Sequence, residues 1–140
     1  MNLSTKPQVV IDTNIFISGI FWGGKPKEVI QTWRDQKITL LVSPYLVAEI
    51  SEVMERFGAS QKQKNSIITI LTQNSLKIFP QEQTGICRDS KDNFILDLCI
   101  AGKANYLVTG DKDLLALKAY IETVILKPVE YLPLLHSLDL

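Results

Sequence analysis

The chain has 140 residues, 46% of them hydrophobic, which suffices for one compact domain with a single core, spanning residues 1–140, but not for two such domains. Its 15 basic and 15 acidic residues balance, so no overall positive field indicates a nucleic-acid partner, and any such binding must depend on local patches or bound cations. No apolar run approaches the roughly 20 residues of a membrane span, and the first residues lack an apolar signal segment, so we expect a cytoplasmic protein.

Short β-branched runs alternate with longer segments of helical period along the whole chain. The runs predict strands at 8–12, 38–42, 76–79, 105–109 and 123–127. The longer segments predict helices at 15–21, 26–36, 44–57, 60–74, 92–102 and 112–119, with a last helix from about residue 129. Strands that alternate with helices usually pair in parallel, so we expect an α/β fold whose mostly parallel sheet is covered by helices on both faces.

Asp12 follows the first predicted strand, and its position has two explanations. Asp12, Thr13 or Asn14 can cap the helix that begins at Ile15, because short oxygen-bearing side chains accept the first free backbone N–H groups. Alternatively, Asp12 belongs to a ligand site, since such sites lie at the carboxyl ends of strands in open α/β sheets. Asp111 follows a later strand, so the two carboxylates share one crevice if their strands are neighbours.

Two further acids lie beside the apolar stripes of predicted helices. Glu49 falls at the flank of such a stripe, where a carboxylate is costly unless something pairs with it. Asp92 falls in the first turn of its helix, where the helix dipole alone can explain it, whereas Asp97 is expected to point more toward water. The stripes consist of Leu46, Ile50, Val53, Met54 and Phe57 on one helix and of Phe94, Ile95, Leu98, Cys99 and Gly102 on the other.

Together these four acids carry more weight than any one of them. Like charges about 4 Å apart repel by about 4 kcal/mol at an effective dielectric of about 20, and a bound divalent cation removes that penalty. The chain has one histidine and two cysteines, so oxygen donors dominate and favour Mg²⁺ or Mn²⁺ over zinc. Such an ion can activate a water molecule against a phosphodiester, so the cluster predicts hydrolysis of a nucleic-acid backbone.

Four stretches of the sequence resemble the PIN domain: VVIDTNIFISGIFWGG, SPYLVAEISEVMERF, RDSKDNFILDLCIAGKANYLVTGDKDLL and ILKPVEYL. The resemblance spans almost the whole chain. In particular, the chain looks like the VapC-like ribonucleases, which are toxin components of bacterial and archaeal toxin–antitoxin systems. The resemblance implies a three-layer α/β/α sandwich and a Mg²⁺- or Mn²⁺-dependent endoribonuclease that cleaves single-stranded RNA with a metal-activated water.

The resemblance also implies roles for individual residues. It assigns catalysis and metal coordination to Asp12, Glu49, Asp92 and Asp111. Asn14 matches the position expected to orient the first carboxylate, and Thr109 matches the supporting Ser/Thr before the last acid. Two aspartates stay ambiguous. Asp113 is either an outer ligand or a first-turn residue of the following helix, and Asp89 is a candidate for the outer shell.

The resemblance to VapC-like ribonucleases implies three partners. They are a single-stranded RNA substrate, a small antitoxin that packs between helices near the site, and a second copy of the chain in a homodimer. Phe21 and Trp22 can offer an apolar surface for such contacts, whereas Trp33 is expected in the core. Three basic residues flank the acids, either as phosphate contacts or as solvated partners of those acids: Arg88, Lys91 and Lys112.

Other functions fit part of the same pattern. A strand that ends in aspartate also begins aspartyl-phosphate phosphatases and phosphate-accepting receiver domains. The phosphatases usually carry a second aspartate two residues on, where this chain has Asn14, and no suitably placed late strand ends in a lysine as in receiver domains. A PIN-fold interaction or regulatory protein with an idle metal site, or a housekeeping RNA-processing nuclease, would present the same acids.

Overall fold

The structure, a computed structural model, describes residues 6–81 and 85–137. The strands in these ranges are β1 (Gln8–Ile11), β2 (Thr39–Val42), β3 (Leu76–Lys77), β4 (Tyr106–Val108), β5 (Ala119–Tyr120) and β6 (Thr123–Leu126). The helices are α1 (Thr13–Phe21), α2 (Gly24–Arg34), α3 (Pro44–Arg56), α4 (Gln61–Gln73), α5 (Ser90–Gly102), α6 (Lys112–Leu117) and α7 (Pro128–Ser137). The predicted alternation of strands and helices is therefore confirmed over the described ranges.

The sheet has the strand order β3-β2-β1-β4-β6-β5 and is mostly parallel. Only β5, at one edge, runs antiparallel to its neighbour β6. From β1 the order runs to β2 and β3 on one side and to β4 and β6 on the other, so the switch point lies between β1 and β4. The two strands that precede Asp12 and Asp111 are thus direct neighbours, as the shared crevice requires.

Helices cover both faces of this sheet. Successive strand residues point to opposite faces, and Val9, Val10 and Ile11 of β1 are all buried. Helix α5 packs on β1 and β2, and α7 packs on β4 and β6. The predicted α/β class with a mostly parallel sheet is confirmed. No helix in the described part of the chain combines the length and the apolar character needed to cross a membrane.

Some element boundaries differ from the predicted ones. The helix predicted over 112–119 ends at Leu117, because Lys118 takes a positive φ of 61° and leads into β5. The sequence did not reveal β5, since two residues are too few for an alternating pattern. The helix predicted over 26–36 lies two residues earlier, at Gly24–Arg34, and the φ of Gln36 is likewise positive. These shifts leave the strand order and the helix count unaffected.

Three side chains lie differently from the prediction. Asp97 is 4% exposed and does not point to water, because α5 has the sheet on one side and α3 on another. Phe57 and Phe94 are each 40% exposed because they lie at or near helix ends, where the apolar stripes run past the core. The core positions predicted for Trp33 and Cys99 are confirmed.

Candidate metal centre at the carboxyl edge of the sheet

Five acids line one pocket of about 230 Å³: Asp89 and the four acids that the sequence predicts as ligands, which come from four different parts of the chain. Asp12 follows β1, and its backbone N–H donates to the carbonyl oxygen of Val108 in β4 at 2.9 Å. Asp111 follows β4, Glu49 comes from the middle of α3, and Asp92 comes from the first turn of α5. The chain thus brings together the four residues that the sequence singled out.

Asp12 occupies the N-cap position of α1, but its side chain makes no capping hydrogen bond. Its Oδ2 atom instead accepts a hydrogen bond from Thr109 Oγ1 at 2.6 Å. The same hydroxyl oxygen accepts from the backbone N–H of Asp111 at 3.0 Å. Thr109 is fully buried and ties the two acidic loops together. Its supporting role in a reaction stays a prediction.

Asp92 is the acid whose hydrogen bonding is incomplete. Its residue is 7% exposed, and its Oδ2 atom is buried with no hydrogen-bond partner in the described part of the chain. Burial, followed by the charges of Asp111, Asp89 and Asp12, raises the pKa of Asp92 to about 6. Buried polar atoms without a partner are rare in folded proteins, and each one calls for an explanation. A bound cation is one explanation that suits a carboxylate oxygen, and a proton on the raised-pKa carboxyl is the other.

The charge around Asp92 favours a bound cation. Burial raises the pKa of Asp12, with Glu49 and Asp111 adding to the rise and the hydrogen bond from Thr109 opposing it. Among residues 6–81 and 85–137, no lysine or arginine forms an ion pair with Asp12, Asp92 or Asp111. Oxygen-only donors with an excess of negative charge fit Mg²⁺ or Mn²⁺.

Two other acids already have partners. Thr13 Oγ1 donates a hydrogen bond to Glu49 Oε1, and Lys91 Nζ lies 3.6 Å from Glu49 Oε2. Arg88 donates two hydrogen bonds to the Asp113 carboxylate, at 2.9 and 3.0 Å. Arg88 and Lys91 are therefore partners of acids in this structure, which was one of the two interpretations of these residues.

Asp113, which the sequence left ambiguous, lies beside two of the four acids that it predicted as ligands. One carboxylate oxygen each from Asp92, Asp111 and Asp113 lies within 4.8 Å of the other two. Among the described residues this is the tightest such grouping, and it omits Asp12 and Glu49. Asp111 Oδ1 also accepts from the backbone N–H of Leu114 at 3.0 Å and so caps α6. Asp113 thereby becomes a candidate ligand beside the four predicted acids.

The remaining predicted residues have lesser roles in this geometry. Asn14 lines the pocket, but among the described residues it makes no hydrogen bond to Asp12, so its orienting role stays a prediction. Asp89 Oδ1 accepts from the backbone N–H of Lys91 at 2.9 Å and caps α5. Sequence reasoning missed Arg56, which lines the pocket. Its spacing of seven residues from Glu49, two helical turns on the same face of α3, was the signal available.

Comparison with known proteins identifies relatives of the chain. A family model described as the PIN domain matches residues 8–113. The uncharacterized protein MJ1680 of Methanocaldococcus jannaschii is 32% identical over 119 residues, which cover 81% of this chain and 76% of that protein. A chain in the crystal structure of VapBC2 from Rickettsia felis bound to a DNA fragment from their promoter matches with a TM-score of 0.61 at 15% identity, covering 86% of this chain and 98% of that one. At such low identity this last likeness concerns the fold.

Proposed function

The chain belongs to the PIN domain family, and from this premise we propose that it is a metal-dependent endoribonuclease that hydrolyses single-stranded RNA within one domain of residues 1–140. The observation that carries the proposal is the buried Asp92 Oδ2 atom, which has no partner in the described chain and lies among further acids. Family membership alone fits an idle site equally well. A buried oxygen kept without a partner favours a site that binds its ion.

We assign different roles to the acids of the site. Asp92 and Asp111 belong both to the predicted set and to the closest trio, so we assign them as ligands of Mg²⁺ or Mn²⁺. Asp12 lines the same pocket, and Asp113 belongs to the trio although Arg88 also holds its carboxylate, so these two complete the donor set. Glu49 adds negative charge while paired with Lys91. A bound ion of this kind supplies an activated water and neutralises the charge that develops on the phosphate.

Basic side chains of the same pocket are available to the substrate. Arg56 and Lys91 line the pocket together with the acids. The side chain of Lys91 is 48% exposed, so it can turn from Glu49 to a phosphate oxygen at the mouth of the pocket. Contacts of this kind bind the backbone without reading its sequence. We therefore assign Arg56 and Lys91 to holding the RNA phosphate over the acids.

We further propose that the protein acts in the cytoplasm as the toxin of a toxin–antitoxin pair and as a homodimer. The fold likeness to a chain of the VapBC2 complex supports this assignment. An aromatic cluster adds a candidate contact surface, because the rings of Phe21, Trp22 and Phe57 lie 4.8–6.1 Å apart by their centroids. Trp22 is 69% exposed, as suits a surface that a small protein covers.

The nuclease proposal is tested with purified protein and a mixed pool of single-stranded RNA. We expect cleavage with Mn²⁺, loss of cleavage with EDTA, and products with 5′-phosphate ends because water attacks the phosphorus and the 3′ oxygen leaves. Asp12→Asn should abolish cleavage. Asp35→Asn, the same change at an exposed residue after α2, is the matched control and should cleave like the unaltered protein. Undiminished metal-dependent cleavage by Asp12→Asn would contradict the proposal.

The toxin proposal has a separate test. The product of a short reading frame next to the gene should co-purify with the unaltered chain, and Trp22→Ala should weaken that association. The nuclease result does not depend on this outcome. A ribonuclease that co-purifies with no such product would instead be a housekeeping enzyme.

A further inference from the structure

A second pocket, of about 270 Å³, opens at the carboxyl edge of the sheet, and three of the side chains that line it are aromatic. We call it the aromatic pocket and define it by Tyr45, Phe79, Phe94 and Asp97. We propose that it binds one unstacked base of the single-stranded RNA whose backbone enters the metal centre. This proposal rests on the ribonuclease function proposed above and adds how the substrate is held.

The aromatic pocket and the metal centre lie on the same edge of the sheet. Phe79 follows β3, just as Asp12 follows β1 and Asp111 follows β4, and β3 and β1 both flank β2. The two sites also share two helices. Tyr45 precedes Glu49 by one turn of α3, and Phe94 follows Asp92 by two residues on α5. The two sites thus lie along one edge of the sheet, and we infer that a nucleotide next to the one bound at the metal centre reaches the pocket.

The geometry of the rings suits stacking. Tyr45 and Phe94 form a stacked pair with centroids 4.2 Å apart and planes at 30°. They are 37% and 40% exposed, so part of each ring remains uncovered. Phe79, which also lines the pocket, is 69% exposed. Bases stack on exposed aromatic side chains of this kind, and each stacked base contributes substantially to single-strand binding.

The size and chemistry of the pocket favour a base over a protein partner. Its volume lies just below the range of roughly 300–1,000 Å³ that is typical of pockets for drug-sized ligands, so it suits a single ring system. Asp97 lines the pocket and is 4% exposed. A carboxylate has about four acceptor positions, so Asp97 can accept an N–H of a base in addition to the contact it makes within the chain. A flat apolar face would instead suit a protein.

The test measures binding without cleavage. In an Asp12→Asn background with Mg²⁺, fluorescence anisotropy would compare short fluorescein-labelled RNAs, either complete or with one abasic nucleotide at each position in turn. We expect the Kd to rise about 5-fold or more when the nucleotide beside the cleavage position lacks its base. Adding Phe79→Ala should weaken binding of the complete RNA by a similar factor and remove the abasic effect. Phe79 is exposed, so its loss should leave the melting temperature unchanged.

The control is Ile121→Ala, which removes an apolar side chain of equal exposure, 70%, beside the edge strand β5 at the far side of the sheet. It should bind RNA like the parent. Equal affinity for all abasic RNAs, or unchanged binding by Phe79→Ala, would overturn the proposal even if the enzyme cleaves RNA. A change from dimer to monomer on Phe79→Ala with unchanged RNA affinity would also overturn it, since a second copy would then cover the pocket.

If an abasic nucleotide at one position of the RNA weakens binding and the unaltered protein never cleaves RNA, the aromatic pocket stands as a base-binding site and the nuclease assignment falls. The two proposals therefore fail separately.

Discussion

Two groups of buried polar side chains in this molecule are treated in opposite ways. Between α2 and α7, Thr32 Oγ1 donates to the carbonyl oxygen of Val29 at 2.7 Å and lies 2.8 Å from the hydroxyl of Tyr131. Asp92 at the carboxyl edge is buried to the same degree, 7% against 6% for Thr32, yet one of its oxygens has no partner in the described chain. Similar burial thus goes with complete hydrogen bonding in one region and with incomplete hydrogen bonding in the other.

This difference is the one expected between groups that hold the fold and groups that bind a ligand, as proposed for the metal centre. A satisfied buried hydroxyl contributes to the free energy of unfolding, whereas a buried carboxylate among like charges lowers it. Functional sites are where a protein keeps such unfavourable arrangements. Substitutions in the two regions should therefore change stability in opposite directions and activity in only one of them.

The largest expected effect is on catalysis at the carboxyl edge. Asp92→Asn should lower the rate of RNA cleavage by about 100-fold or more, because it removes the charge of a proposed metal ligand. The same change relieves repulsion, so the melting temperature of the metal-free protein should stay the same or rise. Initial cleavage rates and thermal unfolding in EDTA measure both. If Asp92→Asn has a lower melting temperature than the unaltered protein and still cleaves RNA, then Asp92 stabilises the fold, as Thr32 does, and is not needed for activity.

The next effect is stabilisation by a bound ion. Mg²⁺ or Mn²⁺ at about 100 times its Kd should stabilise the unaltered protein by about 2.7 kcal/mol, because the ion binds the folded chain alone. Asp92→Asn should lose most of this gain, whereas Thr32→Val should keep it. Thermal unfolding across a metal titration measures the shift. An equal shift in Asp92→Asn would place the ion elsewhere.

Much of the carboxyl edge was predictable because its signals are local. Asp12 and Asp111 follow short β-branched runs, and the helical phase of Glu49 is determined by spacing alone. These acids lie at one site because the strand order places β1 beside β4. No local sequence pattern encodes that order. The nearness of Asp113 to Asp92, across 21 residues of chain, has the same origin.

The prediction for Asp97 was wrong for a related reason. A helical phase gives the angle between side chains, but it does not tell how many sides of a helix are covered. Helix α5 contacts β1, β2 and α3. A Cβ added at Gly102 would lie 2.6 Å from Leu41 Cδ1, so the helix approaches the sheet closely. When two sides of a helix are buried, its apolar and polar faces differ less clearly, and the sequence pattern then does not tell which residues face water.

A smaller effect is expected between α2 and α7. Thr32→Val should lower the free energy of unfolding by about 1–3 kcal/mol, because the buried Tyr131 hydroxyl loses a partner. Cleavage at temperatures where the variant is folded should not change. Adding Tyr131→Phe should cost less than it does alone, since both polar groups are then gone. Urea unfolding of the unaltered protein, the two single variants and the double variant gives the coupling free energy between Thr32 and Tyr131. Strictly additive losses of stability would mean that the two side chains do not interact.

The smallest effect is the pH dependence of the metal-free protein. The pKa of Asp92 is raised from its ordinary value of 3.8 to about 6, so between these values the folded chain holds a proton that the unfolded chain has released. The stabilisation from this group is complete below pH 3.8 and is lost as the pH rises through about 6. In EDTA, the melting temperature of the unaltered protein should therefore fall relative to that of Asp92→Asn over this interval. Saturating Mg²⁺ favours the ionised carboxylate and should reverse the trend, and parallel pH curves for the two proteins would mean that Asp92 titrates normally.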